Sequence, residues 1–135
     1  MYRKALIRPF RPGDEGVLFG LARLERGADE RTLAVLERET VFVAEVEGSY
    51  AGYAALVVEG AAARVDQLFI SVEHEEEDVG RQLLAHVEGF AISRGAAALR
   101  VVVEPGNVSA VSFYRSRGFV PAGESVLELV LPRVH

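Results

Sequence analysis

Residues 65–90 read VDQLFISVEHEEEDVGRQLLAHVEGF and join two different hydrophobic patterns. The first part, Val65–Val72, is an apolar run rich in β-branched and aromatic residues, which predicts a buried strand. The last part predicts an amphipathic helix, because apolar residues recur every three or four positions at Val79, Leu83, Leu84, Val87, Phe90 and Ala91. The loop between them ends at a helix N-terminus, where backbone N–H groups without helical partners favour an anion.

This loop is strongly acidic, because Glu75, Glu76, Glu77 and Asp78 directly precede the helix. Acidic residues there stabilise a helix by about 0.3–1 kcal/mol each, and Asp is a good N-cap. The same carboxylates repel a bound phosphate. Two unit charges about 4 Å apart interact by about 1 kcal/mol in water and by about 4 kcal/mol at an effective dielectric of about 20. The pattern therefore leaves two interpretations open, a solvated helix cap or an altered anion site.

Composition limits the class of protein. The chain has 135 residues, half of them apolar, and is expected to form a single domain over residues 1–135. No apolar run approaches the roughly 20 residues of a membrane span. Acidic residues outnumber basic ones by 20 to 15 and cysteine is absent, which argues against nucleic-acid binding and against disulfides. A cytoplasmic protein with no membrane partner is expected.

The chain before the central stretch predicts two helices and a hairpin. Asp14 is a candidate N-cap for a helix whose apolar face is expected to hold Val17, Leu18, Leu21 and Leu24. A second helix is predicted over residues 30–38. Val41–Val46 and Tyr50–Val58, separated by a glycine-containing turn, predict a β-hairpin.

The chain after the central helix predicts another strand at Leu99–Val103, a helix over residues 108–117 with Asn107 as N-cap, and last strands at Phe119-Val120 and Val126–Leu131. The strand–helix–strand order over residues 65–103 is a βαβ unit, whose strands are parallel with a right-handed crossover. The sequence therefore predicts an α/β fold with a mixed, mostly antiparallel sheet, a central βαβ unit and helices on both faces.

This order of elements resembles the Gcn5-related N-acetyltransferase (GNAT) superfamily over nearly the whole chain. The residues Asn107, Ala110, Phe113-Tyr114 and Gly118-Phe119 are similar to the family segment Asn-x-x-Ala-x-x-hydrophobic-Tyr-x-x-x-Gly-Phe. Residues 42–52, FVAEVEGSYAG, resemble the second and third strands of the family, and Gly80–Leu84 resembles the start of its central helix.

The resemblance implies a GNAT-like acyl-CoA N-acyltransferase fold and acetyl-CoA as cofactor. Tyr114 stands where the family carries the tyrosine that protonates the leaving thiolate. Asp66 is near the family's usual place for a carboxylate base, although many members use water instead. Contacts with the cofactor are implied for residues of the central strand, of the following helix and of the next helix cap: Leu68, Phe69, Ile70, Val79, Gly80, Arg81 and Asn107.

The chain departs from the family at the pyrophosphate loop, which reads Arg or Gln, two residues, Gly, one residue, then Gly or Ala. Gly80 fits the last position, but Glu75 stands at the Arg or Gln position and Asp78 at the first required glycine. A glycine common in that loop is replaced by Glu76, and the proline usual upstream is Val72. Weakened binding of acetyl-CoA is therefore predicted.

Two functions remain open on the sequence. The first is acyl transfer from acetyl-CoA to an amine of a small molecule or a protein. The alternative is a non-catalytic GNAT-like module that binds a ligand, regulates a partner or forms a homodimer. No metal site is predicted, because His74, His86 and His135 lack metal-ligand spacing; His74 and His86 are expected at the surface.

Overall fold

The computed structural model describes residues 4–75 and 78–132. Within that part the chain forms, in order, β1 (Leu6–Pro9), α1 (Asp14–Arg26), α2 (Glu30–Arg38), β2 (Thr40–Val46), β3 (Ser49–Glu59), β4 (Ala62–Ile70), α3 (Val79–Ser93), β5 (Ala98–Val102), α4 (Val108–Ser116), β6 (Val120–Gly123) and β7 (Val126–Val130). The seven strands follow the order β1-β2-β3-β4-β5-β7-β6 in the sheet. None of these helices is long and apolar enough to cross a membrane.

The predicted fold class is confirmed. The pairs β1–β2, β2–β3, β5–β7 and β6–β7 are antiparallel, whereas β4 and β5 are parallel and are joined through α3. The described residues group into two compact units. The first lies within residues 1–56 and 67–87, and the second within residues 57–66 and 88–135.

In the first unit, helices cover both faces of the strands. Alternate side chains of β2 and β3, together with Phe69 of β4, pack against α1 and α2. The buried cluster consists of Leu18, Ala22, Leu36, Val41, Val43, Tyr53, Ala55 and Phe69. Phe42 lies between Val41 and Val43 in sequence and therefore points to the other face. There its ring makes an edge contact with His86 of α3, with the ring centroids 4.5 Å apart.

The backbones of β3 and β4 approach closely at Gly52. A Cβ atom built on this glycine would lie 2.2 Å from the carbonyl oxygen of Phe69 and 3.2 Å from the Cα of Ile70. No side chain can occupy that space without moving the backbone of β4. Gly52 therefore permits the position of the strand end for which cofactor contacts are predicted.

A buried charge network fixes the start of α1 to β1 and to the β2–β3 hairpin. The carboxylate of Asp14, only 1% exposed, accepts bonds from Arg8 Nη1 (2.8 Å) and Nη2 (2.9 Å), from the Tyr50 hydroxyl (2.7 Å) and from the Arg11 N–H (2.8 Å). Arg8 also pairs with Glu45. The bonds from Arg8 hold the pKa of Asp14 well below its ordinary value against the opposing effect of burial, and the Tyr50 hydroxyl adds to the lowering.

Several predicted details of the first unit are wrong. The residue at the cap of α1 is Gly13, with φ of 99°, and Asp14 is the first helical residue. The buried residues of α1 are Asp14, Leu18 and Ala22, whereas Val17 and Leu24 are 43% and 84% exposed. The central strand ends at Ile70 instead of Val72, because the chain turns there into a single 3₁₀ turn over Val72–His74.

The second unit holds the parallel pair and the C-terminal hairpin. β5 pairs with β4 from Ala62↔Ala98 to Val65↔Val101, and β7 lies on its other side. α4 follows β5, and Asn107 caps it as predicted, since its side chain accepts a bond from the Ala110 N–H at 3.2 Å. Phe119, 1% exposed, follows this helix and contacts the ring of Tyr114.

Candidate active site

The end of β4 supplies three of the predicted cofactor-binding residues. Phe69 is buried and its ring lies 5.6 Å from that of Tyr53 in the α1–α2 cluster. Leu68 and Ile70 are half-buried. Two backbone hydrogen bonds fix the path of the chain where it leaves the sheet. The Ser71 N–H donates to the Ala51 carbonyl (2.8 Å) and the His74 N–H donates to the Ser71 carbonyl (2.9 Å).

The last turn of α1 holds this exit in place. The carboxylate of Glu25 accepts a bond from the Ser71 hydroxyl at 3.0 Å and from the Val72 N–H at 2.8 Å. Arg26 Nη2 donates to the Ile70 carbonyl at 3.3 Å, and its guanidinium lies 5.8 Å from the centre of the Phe69 ring. Sequence reasoning missed both residues, because they are separated from their partners by more than forty positions and no local pattern reports such contacts.

The acidic loop is partly neutralised by arginines. Arg26 Nη2 also bonds Glu75 Oε1 at 2.7 Å, in a pair whose side chains are 46% and 51% exposed. Asp78 pairs with Arg81, which lies in the first turn of α3. Glu76 and Glu77 lie outside the described residues. Of the loop acids that are described, each therefore has an arginine partner.

The backbone at Asp78 keeps the conformation that a glycine would adopt. Its φ is 60°, in the left-handed region that Asp tolerates better than most residues. The Gln82 N–H donates to the Asp78 carbonyl at 3.2 Å and closes the first turn of α3. The N–H groups of Val79 and Gly80 come before that bond in the chain, and N–H groups at a helix start point out of the helix end.

The backbone at the start of α3 is suited to bind the diphosphate of an acyl-CoA, whereas the acidic side chains of the loop repel it. A left-handed residue followed by a helix start directs N–H groups towards an anion. The carboxylates of Glu75 and Asp78 repel the same anion, but each is held by a guanidinium. The residues that would hold the cofactor are therefore the backbone of Val79–Arg81 and the end of β4.

His74 lies at the start of the same loop and is a correction to the sequence analysis. It was expected at the surface but is only 8% exposed. The 3₁₀ turn over Val72–His74 directs its ring inward while it leaves Val72 53% exposed. His86, in contrast, is exposed as predicted.

Tyr114 lies in the second unit, on α4, seven residues after the Asn107 cap. Its ring is 7% exposed and makes edge contacts with Phe113 and Phe119, both with centroids 5.2 Å apart. Burial raises the pKa of its hydroxyl to about 12. The phenol therefore keeps its proton at neutral pH, which a proton donor requires.

Asp66 lies on β4 in the same unit and is bound by an arginine. Its two carboxylate oxygens accept bonds from Arg64 Nε and Nη2, the second at 3.2 Å. Arg64 also pairs with Glu59. The guanidinium occupies both carboxylate oxygens, so this bond must open before Asp66 can accept a proton from a substrate.

The structure therefore groups the predicted residues by unit. In the first unit, Arg26 joins the Ile70 carbonyl to the acidic loop, which leads to Val79, Gly80 and Arg81 at the start of α3. In the second unit, Asn107 and Tyr114 share one helix and Asp66 lies on β4.

Comparison with known proteins identifies solved structures with the same fold. Ard1 from Thermoplasma volcanium superimposes with a TM-score of 0.83 at 20% identity, over 96% of this chain and 99% of that one. The ribosomal-protein-S18-alanine N-acetyltransferase from Escherichia coli gives 0.81 at 23% identity, over 96% and 94%. The PaiA N-acetyltransferase from Thermoplasma acidophilum, solved in complex with coenzyme A, gives 0.79 at 20% identity, over 94% and 99%.

These structural likenesses establish the fold. A search of curated proteins found no significant match. The family model described as the acetyltransferase (GNAT) domain matches residues 13–132, which include most of both compact units and every candidate site residue named above. The chain therefore belongs to the GNAT acetyltransferase family.

Proposed function

We propose that this protein is an N-acetyltransferase that moves an acetyl group from acetyl-CoA to an amine of a small molecule or a protein. The observation that supports the proposal is the burial of Tyr114, which raises the pKa of its phenol to about 12; the resemblance puts this residue at the family's proton-donor position. When bound, acetyl-CoA supplies the activated acyl group, and the chain supplies binding, orientation and proton handling.

Tyr114 is proposed to donate its phenolic hydrogen to the sulfur that develops negative charge as the amine displaces the thiol. A phenol with a pKa near 12 is a weak acid. However, the burial that raises its pKa also raises the basicity of a thiolate that leaves beside it. A hydrogen bond from a buried donor to developing charge lowers the barrier more than the same bond in water does.

The amine must lose a proton before or during attack. Asp66 is proposed as the base from its family position, although its bond to Arg64 opposes that role. If water accepts the proton instead, Asp66→Asn should lower turnover less than tenfold, because the substitution then removes only the ion pair with Arg64. If Asp66 itself is the base, the loss reaches about a hundredfold or more.

Weakened cofactor binding is part of the proposal. A diphosphate at the start of α3 must compete with Glu75 for Arg26 and with Asp78 for Arg81. Each uncompensated carboxylate near it costs about 1 kcal/mol or more, and about 1.4 kcal/mol is tenfold in affinity. We therefore expect a dissociation constant for acetyl-CoA above about 1 μM.

The acceptor is proposed only as an amine. The E. coli relative is named for an alanine of ribosomal protein S18, which supports a protein amine, but its 23% identity carries no specificity to this chain. A cytoplasmic location and a homodimer remain predictions of the same kind.

The competing function is a non-catalytic module on the same fold. It is favoured by the carboxylates at Glu75 and Asp78, where the family has a basic or amide residue and a glycine, and by the ion pair of Asp66. Such a module would bind acetyl-CoA weakly or not at all and would transfer no acetyl group to any amine.

The test is release of free thiol from acetyl-CoA in the presence of a panel of amines and N-terminal peptides. We expect Tyr114→Phe to lower kcat by about 10–100-fold with KM little changed, because a donor used in the transition state is lost. The matched control is Tyr53→Phe, which also removes one buried hydroxyl, in this case bonded to Gln67. Equal kcat for the unmodified protein and Tyr114→Phe would exclude the proposed role.

A further inference from the structure

Arg26, the last residue of α1, forms an ion pair with the first residue of the acidic loop. The family's pyrophosphate loop begins with Arg or Gln, and this chain has Glu75 there. The Glu75 carboxylate is bound by Arg26, which comes from a helix that ends more than forty residues earlier in the chain. A guanidinium therefore lies at the start of the loop, supplied by a different element.

Arg26 is anchored at this place by contacts other than the ion pair. Its Nη2 donates to the Ile70 carbonyl, its Nη1 donates to the Glu25 carbonyl at 3.4 Å, and its guanidinium lies over the Phe69 ring. Glu25 fixes the same helix end to Ser71 and Val72. Arg26 would therefore remain at the exit of β4 if Glu75 moved away.

We infer that Arg26 is a ligand of the cofactor diphosphate. In the free protein Glu75 positions Arg26 through an ion pair, and this ion pair breaks when the cofactor binds. This inference rests on the proposed function. Arginine binds phosphate oxygens through paired N–H groups, and its side chain here is 46% exposed, so that a ligand can reach it. Glu75 then acts as a positioning residue that lowers affinity, because its bond to Arg26 must be exchanged.

The test compares two probes that differ in the diphosphate: acetyl-CoA and S-acetylpantetheine, which lacks it. In calorimetric titrations, Arg26→Ala is expected to bind acetyl-CoA at least about tenfold more weakly than the unmodified protein does. Its affinity for S-acetylpantetheine should stay within about twofold of that of the unmodified protein. Arg26→Lys should recover part of the loss, because it keeps the charge without the fork. Glu75→Gln should bind acetyl-CoA about 3–10-fold more tightly.

The control is Arg23→Ala, which removes an arginine from the same last turn of α1; it should change neither affinity by more than about twofold. Unchanged acetyl-CoA affinity in Arg26→Ala overturns the inference and leaves the proposed function intact. Equal losses for both probes overturn it as well, since Arg26 would then only support the loop. If the unmodified protein binds neither probe and transfers no acetyl group, the proposed function fails and the inference fails with it.

Discussion

Replacing Asp14 by Asn tests whether the buried charge network around Asp14 stabilises the first unit. The substitution keeps the shape of the side chain and removes its charge, at a site where four donated bonds converge on a carboxylate that is 1% exposed. Removing one partner of a buried pair costs about 3–5 kcal/mol. Arg8 keeps its second partner, Glu45, so we expect a loss near the lower end, about 3 kcal/mol or about 10 °C in Tm.

The loss of unfolding free energy in Asp14→Asn should be smaller at acid pH than at neutral pH. The folded pKa of Asp14 lies below its ordinary value of 3.8, so the charged carboxylate stabilises the fold above that value. The contribution falls as the pH drops towards the folded pKa. The gap in unfolding free energy between the two proteins should therefore be full at neutral pH and should narrow below about pH 4.

Urea unfolding followed by circular dichroism at pH 7, 5, 4 and 3 measures this gap. Glu15→Gln is the matched control, since it removes the other acidic residue from the first turn of α1 and should cost no more than about 1 kcal/mol. A loss below about 1 kcal/mol for Asp14→Asn at pH 7, or a gap that does not change with pH, would refute the reasoning.

Substitutions at Gly52 and Asp78 test the backbone of the candidate site. Gly52→Ala should destabilise the protein by about 1–3 kcal/mol in urea unfolding, because its Cβ would lie 2.2 Å from the Phe69 carbonyl oxygen. Gly20→Ala, in the open interior of α1, should instead stabilise it by about 0.5–1 kcal/mol. Asp78→Gly should change stability by less than about 1 kcal/mol, since relief of the left-handed backbone at φ of 60° offsets the loss of the ion pair with Arg81. Asp78→Ala should be less stable than Asp78→Gly by about 1–2 kcal/mol, and equal stabilities would argue against a left-handed Asp78.

Periodicity predicted the elements well because most of them have a clear apolar face. The second helix has the predicted bounds, Glu30–Arg38, and the parallel pair follows from the strand–helix–strand order. The face of α1 was predicted wrongly for a physical reason. Its buried positions are Asp14, Leu18 and Ala22, one turn apart, and hydrophobicity marks only Leu18 clearly. The charge network that buries Asp14 involves Arg8 and Tyr50, which no helical pattern reports.

The candidate site could be predicted only in part, because sequence patterns do not show contacts between residues that are far apart in the chain. Asn107 and Tyr114 could be named as candidates from the sequence because their motif is local. Glu25 and Arg26 were missed, because they act through partners at the end of β4 and in the loop. Their charges looked like an ordinary solvated helix end. The sequence could therefore show that the loop is acidic, but it could not show that arginines from α1 and α3 balance Glu75 and Asp78.

The most direct test of the account is a calorimetric titration of the unmodified protein with acetyl-CoA at physiological salt. The account predicts saturable binding with a dissociation constant between about 1 μM and about 1 mM, because the backbone at the start of α3 accepts the diphosphate while the loop carboxylates oppose it. A dissociation constant below about 1 μM would show that the carboxylates do not weaken binding. No binding at several times about 1 mM would contradict an acyl-CoA-dependent function and favour the non-catalytic module.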